Sequence, residues 1–426
     1  MSDADNPRTP TTTPLGRRIA RAAAFLTGRM VLSSTIGVVS VVLITREIGP
    51  AAYGLFVSIQ AIMIYLGILA GLGVNVYLIR SEEEPDRDAY HQAFTLVIVS
   101  SVLLSALGLA FMPLLEAWLS QEALTAPYLA MLLTLPLFCL TQPPLALMER
   151  SLNYRSVAAV ELSSQVLFAL VAITLAYRGA GFWAPIIGHI ARQGTACILA
   201  CLLAGVWPKL RWSRSQAAEM TRYGLGFSGS EWILEMRRLV NPLVVGGALG
   251  LEAVAVVNLA NRIVEVLAFI REAATRLAIV AMAKVQQDQE RSRRMLDEAM
   301  VVQTILLGPA LAGFASIGPW LVPLVYGSEW DGIFIVYSWI ALGALINAIF
   351  NMHASQLYLR RRNADVALFH LAHVLLLAGT VFVMVREFGL IGYGLGELAA
   401  LVSYALLHWR VLAFVEPSYG RVVPWL

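Results

Sequence analysis

The chain has 426 residues, of which 58% are hydrophobic and 14% are charged, and its formal net charge is +3. Soluble globular domains carry roughly 25% charged residues, so this chain has too few charges to cover a water-exposed surface. The composition excludes a soluble enzyme and a basic nucleic-acid-binding domain, and it indicates an all-α integral membrane protein.

The predicted elements begin with a polar tail at residues 1–16, rich in Thr and Pro, which we expect to be disordered. Apolar blocks of about 20 residues follow, each long enough to cross a hydrocarbon core as a helix. The loops between them are too short to hold a soluble catalytic domain, and a second tail occupies residues 415–426. The twelve predicted transmembrane helices are 18–45, 53–79, 90–112, 127–148, 156–177, 182–206, 222–249, 253–283, 297–320, 332–358, 365–385 and 390–414.

The second half of the chain repeats the first. The segment Arg178–Ala184 aligns with Arg386–Gly392 at an offset of 208 residues, and His189 and Glu397 follow in register. Six spans per repeat leave both halves in the same orientation. We therefore predict two pseudo-symmetric six-helix lobes around a central cavity, an arrangement typical of alternating-access transporters. The N-terminal lobe is predicted at 17–207, the linker at 208–221 and the C-terminal lobe at 222–414.

The basic residues predict the orientation in the membrane. Of 31 lysines and arginines, 21 fall in the tails and in the loops on the same side as the N-terminus. Three, Arg46, Arg178 and Arg386, fall in loops on the other side. Because Lys and Arg accumulate in cytoplasmic loops, we predict that both tails and the linker are cytoplasmic.

The remaining ionisable residues lie inside the apolar blocks, where a charge is costly unless it is paired or hydrated. In spans 7 and 8 they recur at intervals of three, four and seven residues, which places them on one face of each helix. Spans 1 and 2, the equivalents of spans 7 and 8 in the repeat, add further polar residues. We predict that these four helices line a hydrated cavity. Its candidate binding residues are Arg29, Gln60, Asn75, Arg237, Arg238, Arg262, Arg271 and Arg276.

The acidic residues inside the blocks allow two interpretations. They could carry a coupling ion, because a buried carboxyl can exchange a proton. Alternatively, Arg262–Glu265 and Glu272–Arg276 have the spacing of intrahelical ion pairs, and isolated acids could bond the backbone. The candidates for ion coupling are Glu161, Glu231, Glu235, Glu265, Glu272 and Glu397.

The sequence shows no motif for metal binding, disulfide formation or nucleotide hydrolysis. The pair His370 and His373 has no further ligands in an obvious position, and the three cysteines lie in apolar blocks without metal-ligand spacing. A phosphate-binding G-x-x-x-x-G-K-[ST] loop is also absent. We therefore expect no catalytic residues, no metal and no cofactor, and hence a protein that is not an enzyme.

The segment Leu43–Phe56, LITREIGPAAYGLF, resembles the R-x-L-G-P-x-x-Y-G-x-F signature of bacterial polysaccharide flippases, with Ile48 in place of the leucine. These are the Wzx-type members of the multidrug/oligosaccharidyl-lipid/polysaccharide exporter superfamily. The resemblance covers essentially the whole chain, with further matches in the expected order. They are Gly73–Arg80, Ala146–Tyr154, Val257–Ile263, Tyr326–Trp330 and Gln356.

The resemblance implies that undecaprenyl-pyrophosphate-linked oligosaccharide is translocated to the periplasmic leaflet of the bacterial inner membrane. The product would serve O-antigen, capsule or exopolysaccharide synthesis, with a polymerase and export machinery as partners. The polyprenyl tail would stay in lipid, passing a portal between spans 1 and 8. The planar guanidinium group of arginine can donate two parallel hydrogen bonds to phosphate oxygens. The arginines considered for the pyrophosphate are Arg29, Arg237, Arg238, Arg262 and Arg271.

Two other functions remain open at this point. A cation-coupled multidrug exporter of the same superfamily would need an essential cavity acid in the first lobe, for which Glu161 is the candidate. A non-transporting scaffold of a glycan-assembly complex would tolerate the loss of Arg238 and Arg262. Export assays on substituted proteins would separate these functions.

Overall fold

The computed structural model describes residues 15–120, 124–285 and 288–425, and within these ranges the chain is helical without strands. Nearly all of the predicted tail at 1–16 lies outside the described residues. The first half contains α1 (Leu15–Ala70), α2 (Val74–Arg80), α3 (Arg87–Leu119), α4 (Thr125–Leu132), α5 (Thr134–Arg150), α6 (Tyr154–Tyr177) and α7 (Trp183–Ala204). The second half contains α8 (Arg214–Glu235), α9 (Gly246–Leu249), α10 (Leu251–Val285), α11 (Gln289–Val325), α12 (Ile333–Leu359), α13 (Asn363–Phe388), α14 (Leu390–Ala400) and α15 (Tyr404–Leu412).

The prediction of a multi-pass helical membrane protein is confirmed. In the described part of the chain, nine helices are long and apolar enough to cross a membrane. One of them, Val31–Ala70, covers parts of two predicted spans, and the charged helices α8 and α10 are not among the nine. The count of twelve spans and the boundaries of the two lobes therefore remain predictions.

Helix α1 covers two predicted spans because the chain turns inside it. Gly49 has a φ of 75°, a region that favours glycine, and Pro50 follows at a position where its missing N–H matters least. A second break at Leu72 and Gly73, both with positive φ, separates α2 from α1. The predicted span 53–79 is therefore divided, and α2 presents its side chains in a different direction.

The predicted seventh span is also interrupted. Helix α8 ends at Glu235 and continues as a 3₁₀ turn, Met236–Leu239, and a π-helical turn, Asn241–Val245. Pro242 lies in the π-helical turn, where its ring removes a backbone donor and prevents a regular helix. Such turns redirect side chains and are frequent at functional sites.

The apolar core is distributed unevenly between the two sides of the molecule. We call the side with the loops at 81–86, 151–153, 205–213 and 360–362 the arginine-rich side. On the opposite side, one continuous core joins the two halves, from Tyr53 in α1 to Trp330 near α12. On the arginine-rich side, one core lies around Phe94 in the first half and the start of α8, and a separate core lies around Met352. The halves thus share a large core on the opposite side, whereas on the arginine-rich side only the start of α8 joins the core of the first half.

Two backbone contacts also join the halves. A Cβ atom at Gly54 would lie 1.9 Å from the carbonyl oxygen of Leu251, and one at Gly224 would lie 2.0 Å from the carbonyl oxygen of Leu72. No side chain fits at either glycine unless the backbone moves. We call these two sites the glycine contacts. They lie near opposite ends of the segment that runs from the second part of α1 into α2.

Candidate functional site

A cavity of about 410 Å³ lies between the two halves. Its first-half wall comes from α1, α6 and α7, and its second-half wall comes from α8, the irregular turns after it, α10, α13 and α14. Volumes of 300–1,000 Å³ are usual for small-molecule sites, so a larger cargo would require the halves to separate further. The polar lining residues are Tyr53, Gln60, Gln165, Arg192, Glu235, Arg237, Arg238, Asn241, Asn258, Asn261, Arg262, Glu265, Tyr393 and Glu397.

The irregular turns after α8 position two arginines in the cavity. Arg238 pairs with Glu235 one turn earlier, whereas Arg237 points from the same 3₁₀ turn without such a pair. Among the described residues, no carboxylate lies within ion-pair distance of Arg237 or of Arg192 in α7. These two guanidinium groups are therefore available to an anion.

Helix α10 carries amides and a charged pair along its cavity face. The Nη1 atom of Arg262 lies 3.5 Å from Oε2 of Glu265, and both side chains are about half exposed. An exposed pair with this spacing contributes little stability and separates easily. Asn258 accepts a hydrogen bond from the Tyr53 hydroxyl at 3.3 Å. This face therefore offers both charged groups and amides to a bound molecule.

The first-half wall is bonded differently. Ser33 donates to Oε1 of Gln165 at 2.9 Å, and Nε2 of Gln165 donates back to the Ser33 carbonyl at 3.0 Å. One helical turn away, Nη1 of Arg29 and Oε2 of Glu161 lie 2.9 Å apart. Both interactions join α1 to α6. The ion pair is not part of the cavity lining.

The structure brings together half of the predicted site residues. Those that line the cavity are Gln60, Glu235, Arg237, Arg238, Arg262, Glu265 and Glu397. The predicted intrahelical pair of Arg262 and Glu265 is present. The side chains of Glu272 and Arg276 lie outside the described residues, so their predicted pairing stays a prediction.

The other predicted residues lie away from the cavity lining. Besides Arg29 and Glu161, which pair with each other, Asn75 is exposed on α2 because the break at Leu72 and Gly73 turns it off the face of α1. Glu231 is exposed on α8, one turn before Glu235. Arg271 approaches Oδ1 of Asn347 in α12 at 3.5 Å.

The cavity also contains residues that are not among the predicted site residues. Gln165, Asn258 and Asn261 are uncharged, and amides are common in helices without a functional role. Arg192 lies in an apolar block of the sequence, but no second charge in that block marks its helical face. A usable signal exists for the two asparagines, because they precede Arg262 at helical spacing on the same stripe.

Comparisons with known proteins give consistent results. A protein-family model described as "Polysaccharide biosynthesis protein" matches residues 43–335. The succinoglycan biosynthesis transport protein ExoT of Rhizobium meliloti is 25% identical over 331 residues, which are 75% of this chain and 64% of ExoT. The lipopolysaccharide biosynthesis protein WzxC of Escherichia coli is 25% identical over 287 residues, 65% of this chain and 56% of WzxC. The matched regions thus span less than two thirds of these two relatives.

Solved structures share the fold. An inward-facing conformation of a MATE family multidrug resistance transporter has a TM-score of 0.72 at 15% identity, covering 91% of this chain and 98% of that one. The lipid II flippase MurJ in an inward closed conformation also has a TM-score of 0.72, at 12% identity. The match covers 91% of this chain and 87% of MurJ. An outward-facing conformation of a MATE family multidrug resistance transporter has a TM-score of 0.56 at 15% identity. The match covers 91% of this chain and 94% of that one.

Proposed function

Because the chain belongs to the polysaccharide biosynthesis protein family, we propose that it is a flippase for a lipid-linked oligosaccharide. The proposed cargo is an undecaprenyl-pyrophosphate-linked repeat unit, which moves from the cytoplasmic to the periplasmic leaflet of the bacterial inner membrane. The observation that carries the proposal is the polar cavity between two apolar, helical halves. A hydrophilic head group can cross the membrane through such a cavity, whereas its transfer into the hydrocarbon core is too costly in free energy.

The lining residues suit both parts of the head group. Amides and tyrosine hydroxyls hydrogen-bond sugar hydroxyls, and arginine forks bind phosphate oxygens. Among the arginines, Arg192 and Arg237 are the better candidates for the pyrophosphate, because no carboxylate occupies them in the described residues. Arg238 and Arg262 can join them by leaving their intrahelical partners, Glu235 and Glu265.

The polyprenyl tail would remain in lipid while the head group crosses. In this structure α1 packs against α10, and a Cβ atom at Gly37 would lie 3.3 Å from Nη2 of Arg262. The proposed lateral portal between these helices therefore requires them to move apart. The absent side chain of Gly37 leaves Arg262 close to the helix that would form the rim of the portal.

Alternating access is the proposed mechanism, with the arginine-rich side and both termini in the cytoplasm. The separate cores on that side and the shared core on the opposite side favour an inward-opening form. The TM-score of 0.72 with an inward-facing MATE family transporter, against 0.56 with an outward-facing one, is in line with an inward-opening form. A polymerase and export machinery would act on the product in the periplasm.

The cavity favours this function over a cation-coupled multidrug exporter. Such an exporter would need a free acid in the first-half wall, but the described lining residues of α1, α6 and α7 include no acid. Glu161, the candidate for that role, is paired with Arg29 outside the lining.

A deletion of the gene tests the proposed function. Surface polysaccharide should disappear, and lipid-linked repeat units should accumulate where a periplasmic, membrane-impermeant glycan probe cannot reach them. Expression of the intact gene from a plasmid should restore both measurements. Normal surface polysaccharide in the deletion strain would exclude the flippase.

A further inference from the structure

A side chain of the first half is bonded to the irregular turns after α8. Nε1 of Trp118, near the end of α3, donates a hydrogen bond to the carbonyl oxygen of Leu243 at 2.7 Å. Leu243 belongs to the π-helical turn Asn241–Val245. Leu119 and Val245, which lie beside the two bonded groups, are both part of the core that the halves share on the opposite side. The bond therefore joins the two halves on that side.

The glycines after the π-helical turn make room for the ring of Trp118. A Cβ atom at Gly247 would lie 2.4 Å from Nε1 and 2.8 Å from Cε2 of Trp118. A Cβ atom at Gly246 would lie 3.1 Å from Cδ2 of the buried Leu119. Any side chain at Gly247 would therefore displace the indole from its place. The hydrogen bond and the close fit of the ring thus depend on each other.

The Leu243 carbonyl has an acceptor site left for the indole. In the π-helical turn, the backbone N–H of Gly246 is shared between the carbonyls of Asn241 and Leu243. A carbonyl oxygen has two lone pairs, so it can accept the indole N–H as well. A tryptophan that serves only as an interfacial anchor directs its N–H to water or to lipid head groups. Trp118 directs it to the protein, although 46% of the residue is exposed.

The irregular turns need outside anchors because their own backbone bonds do not fix their shape well. The 3₁₀ turn Met236–Leu239 has poorer hydrogen-bond geometry than an α-helix, and the change to a π-helical turn interrupts the helical ladder again. Nδ2 of Asn241 donates to the carbonyl oxygen of Val254 in α10 at 3.1 Å, which anchors the turns within the second half. Trp118 anchors them from the first half.

The anchored turns carry two arginines of the cavity. Arg237 and Arg238 lie in the 3₁₀ turn, and both line the cavity. Leu243 follows Arg238 by five residues, and no regular helical turn separates them. The direction in which the two guanidinium groups point therefore depends on how the π-helical turn is held.

We propose that Trp118 is a positioning residue for the anion-binding arginines of the cavity. Its hydrogen bond to Leu243 holds the irregular turns in the arrangement in which Arg237 and Arg238 face the cavity. The class of the anion, a pyrophosphate, rests on the proposed function. Trp118 itself does not contact the cargo, since it is not part of the cavity lining.

The test compares the affinity of purified full-length wild type and Trp118→Phe for inorganic pyrophosphate. Phenylalanine keeps an aromatic ring but has no N–H to donate. A neutral hydrogen bond changes an equilibrium by about twofold to tenfold, so pyrophosphate should bind more weakly by about this factor. A purely structural role would lower the melting temperature and leave the affinity of the folded protein unchanged. Thermal unfolding of each variant measures this second quantity.

Two further variants make the result specific. Gly247→Ala displaces the indole without changing it, so it should weaken pyrophosphate binding as Trp118→Phe does. The double variant should bind no more weakly than the more affected single variant, because the same bond is lost only once. Trp320→Phe is the matched control and should keep the wild-type affinity. Trp320 is largely exposed in α11 and has no hydrogen bond within the described part of the chain.

The outcomes separate this inference from the proposed function. Wild-type affinity in Trp118→Phe, an equal loss in Trp320→Phe, or no pyrophosphate binding by the wild type would overturn the positioning role, whatever the export phenotype. If Trp118→Phe does not fold, Gly247→Ala tests the same bond. A weakened affinity in both variants, together with normal surface polysaccharide in the deletion strain, would refute the flippase and leave the positioning role in place.

Discussion

The two walls of the cavity use polar residues in different ways. In the first half, Ser33 bonds Gln165 of the lining, and Arg29 bonds Glu161 one helical turn beyond the lining; both interactions join one helix to another. In the second half, the ion pairs run along a single helix, and Arg237 has no such partner among the described residues. Polar groups that bridge helices fix a structure, whereas groups that pair within a helix can release each other for a ligand. Apart from Arg192, which has no carboxylate partner among the described residues, the first wall is therefore a fixed surface and the second an exchangeable one.

The largest effect is expected when the exchangeable wall loses its unpaired cation. Arg237→Gln should reduce export by about tenfold to a hundredfold, because a charged hydrogen bond to an anion contributes about 1.5–3 kcal/mol. The measurement is the initial rate of lipid-linked oligosaccharide translocation in proteoliposomes. Arg238→Gln, at the next residue but already paired with Glu235, is the matched control and should lose less. An equal or greater loss in the control would contradict the contrast between the two arginines.

A smaller effect, on stability more than on export, is expected next to the fixed wall, where Arg29 pairs with Glu161. Arg29→Gln should lower the melting temperature of the detergent-solubilised protein by about 2 °C, because it removes an interhelical pair worth about 1 kcal/mol. Glu161→Gln should do the same, and the double variant should add little to either single change. Export should fall less than in Arg237→Gln. A severe export defect in a normally stable Arg29→Gln protein would move Arg29 from the fixed surface to the cargo site.

The smallest effect is expected for the exposed pair on α10. Glu265→Gln removes an i,i+3 partner worth about 0.2–0.5 kcal/mol, so stability should be nearly unchanged and export should change by less than about threefold. Thermal unfolding and the proteoliposome assay measure the two quantities. A strong export defect here would show that Glu265 itself contacts the cargo.

Much of the fold can be predicted from the sequence where helices start and stop at local signals. The predicted span 156–177 corresponds to Tyr154–Tyr177, which Asn153 caps through the backbone N–H of Ser156. The predicted span 182–206 corresponds to Trp183–Ala204, which ends at Gly205 with positive φ. The break inside span 2 is harder to predict, because Leu72 has no intrinsic preference for positive φ. Pro242 indicates a bend in span 7, but it does not predict the π-helical turn, because proline is tolerated in many membrane helices.

The same physical reasons limit the prediction of the site. Charged residues such as Arg262 and Glu397 can be predicted, because a buried charge is costly and therefore stands out in an apolar block. Helical periodicity predicts Asn75 on the cavity face, but this periodicity fails beyond a break in the helix. Gln165 cannot be predicted in the same way, because burying a neutral amide costs much less than burying a charge. Its role depends on Ser33, which is 132 residues away in the sequence.

The glycine contacts have a consequence for changing the cargo of this protein. At Gly54 and Gly224, the halves meet through backbone atoms, so these contacts do not depend on which side chains line the cavity. The cavity lining and the close contact of the halves are thus encoded at different positions of the chain. If the cargo is the proposed lipid-linked oligosaccharide, substitutions at lining positions such as Asn258 can change the sugar that is accepted. The two glycines, and the backbone contacts that they allow, can be kept unchanged.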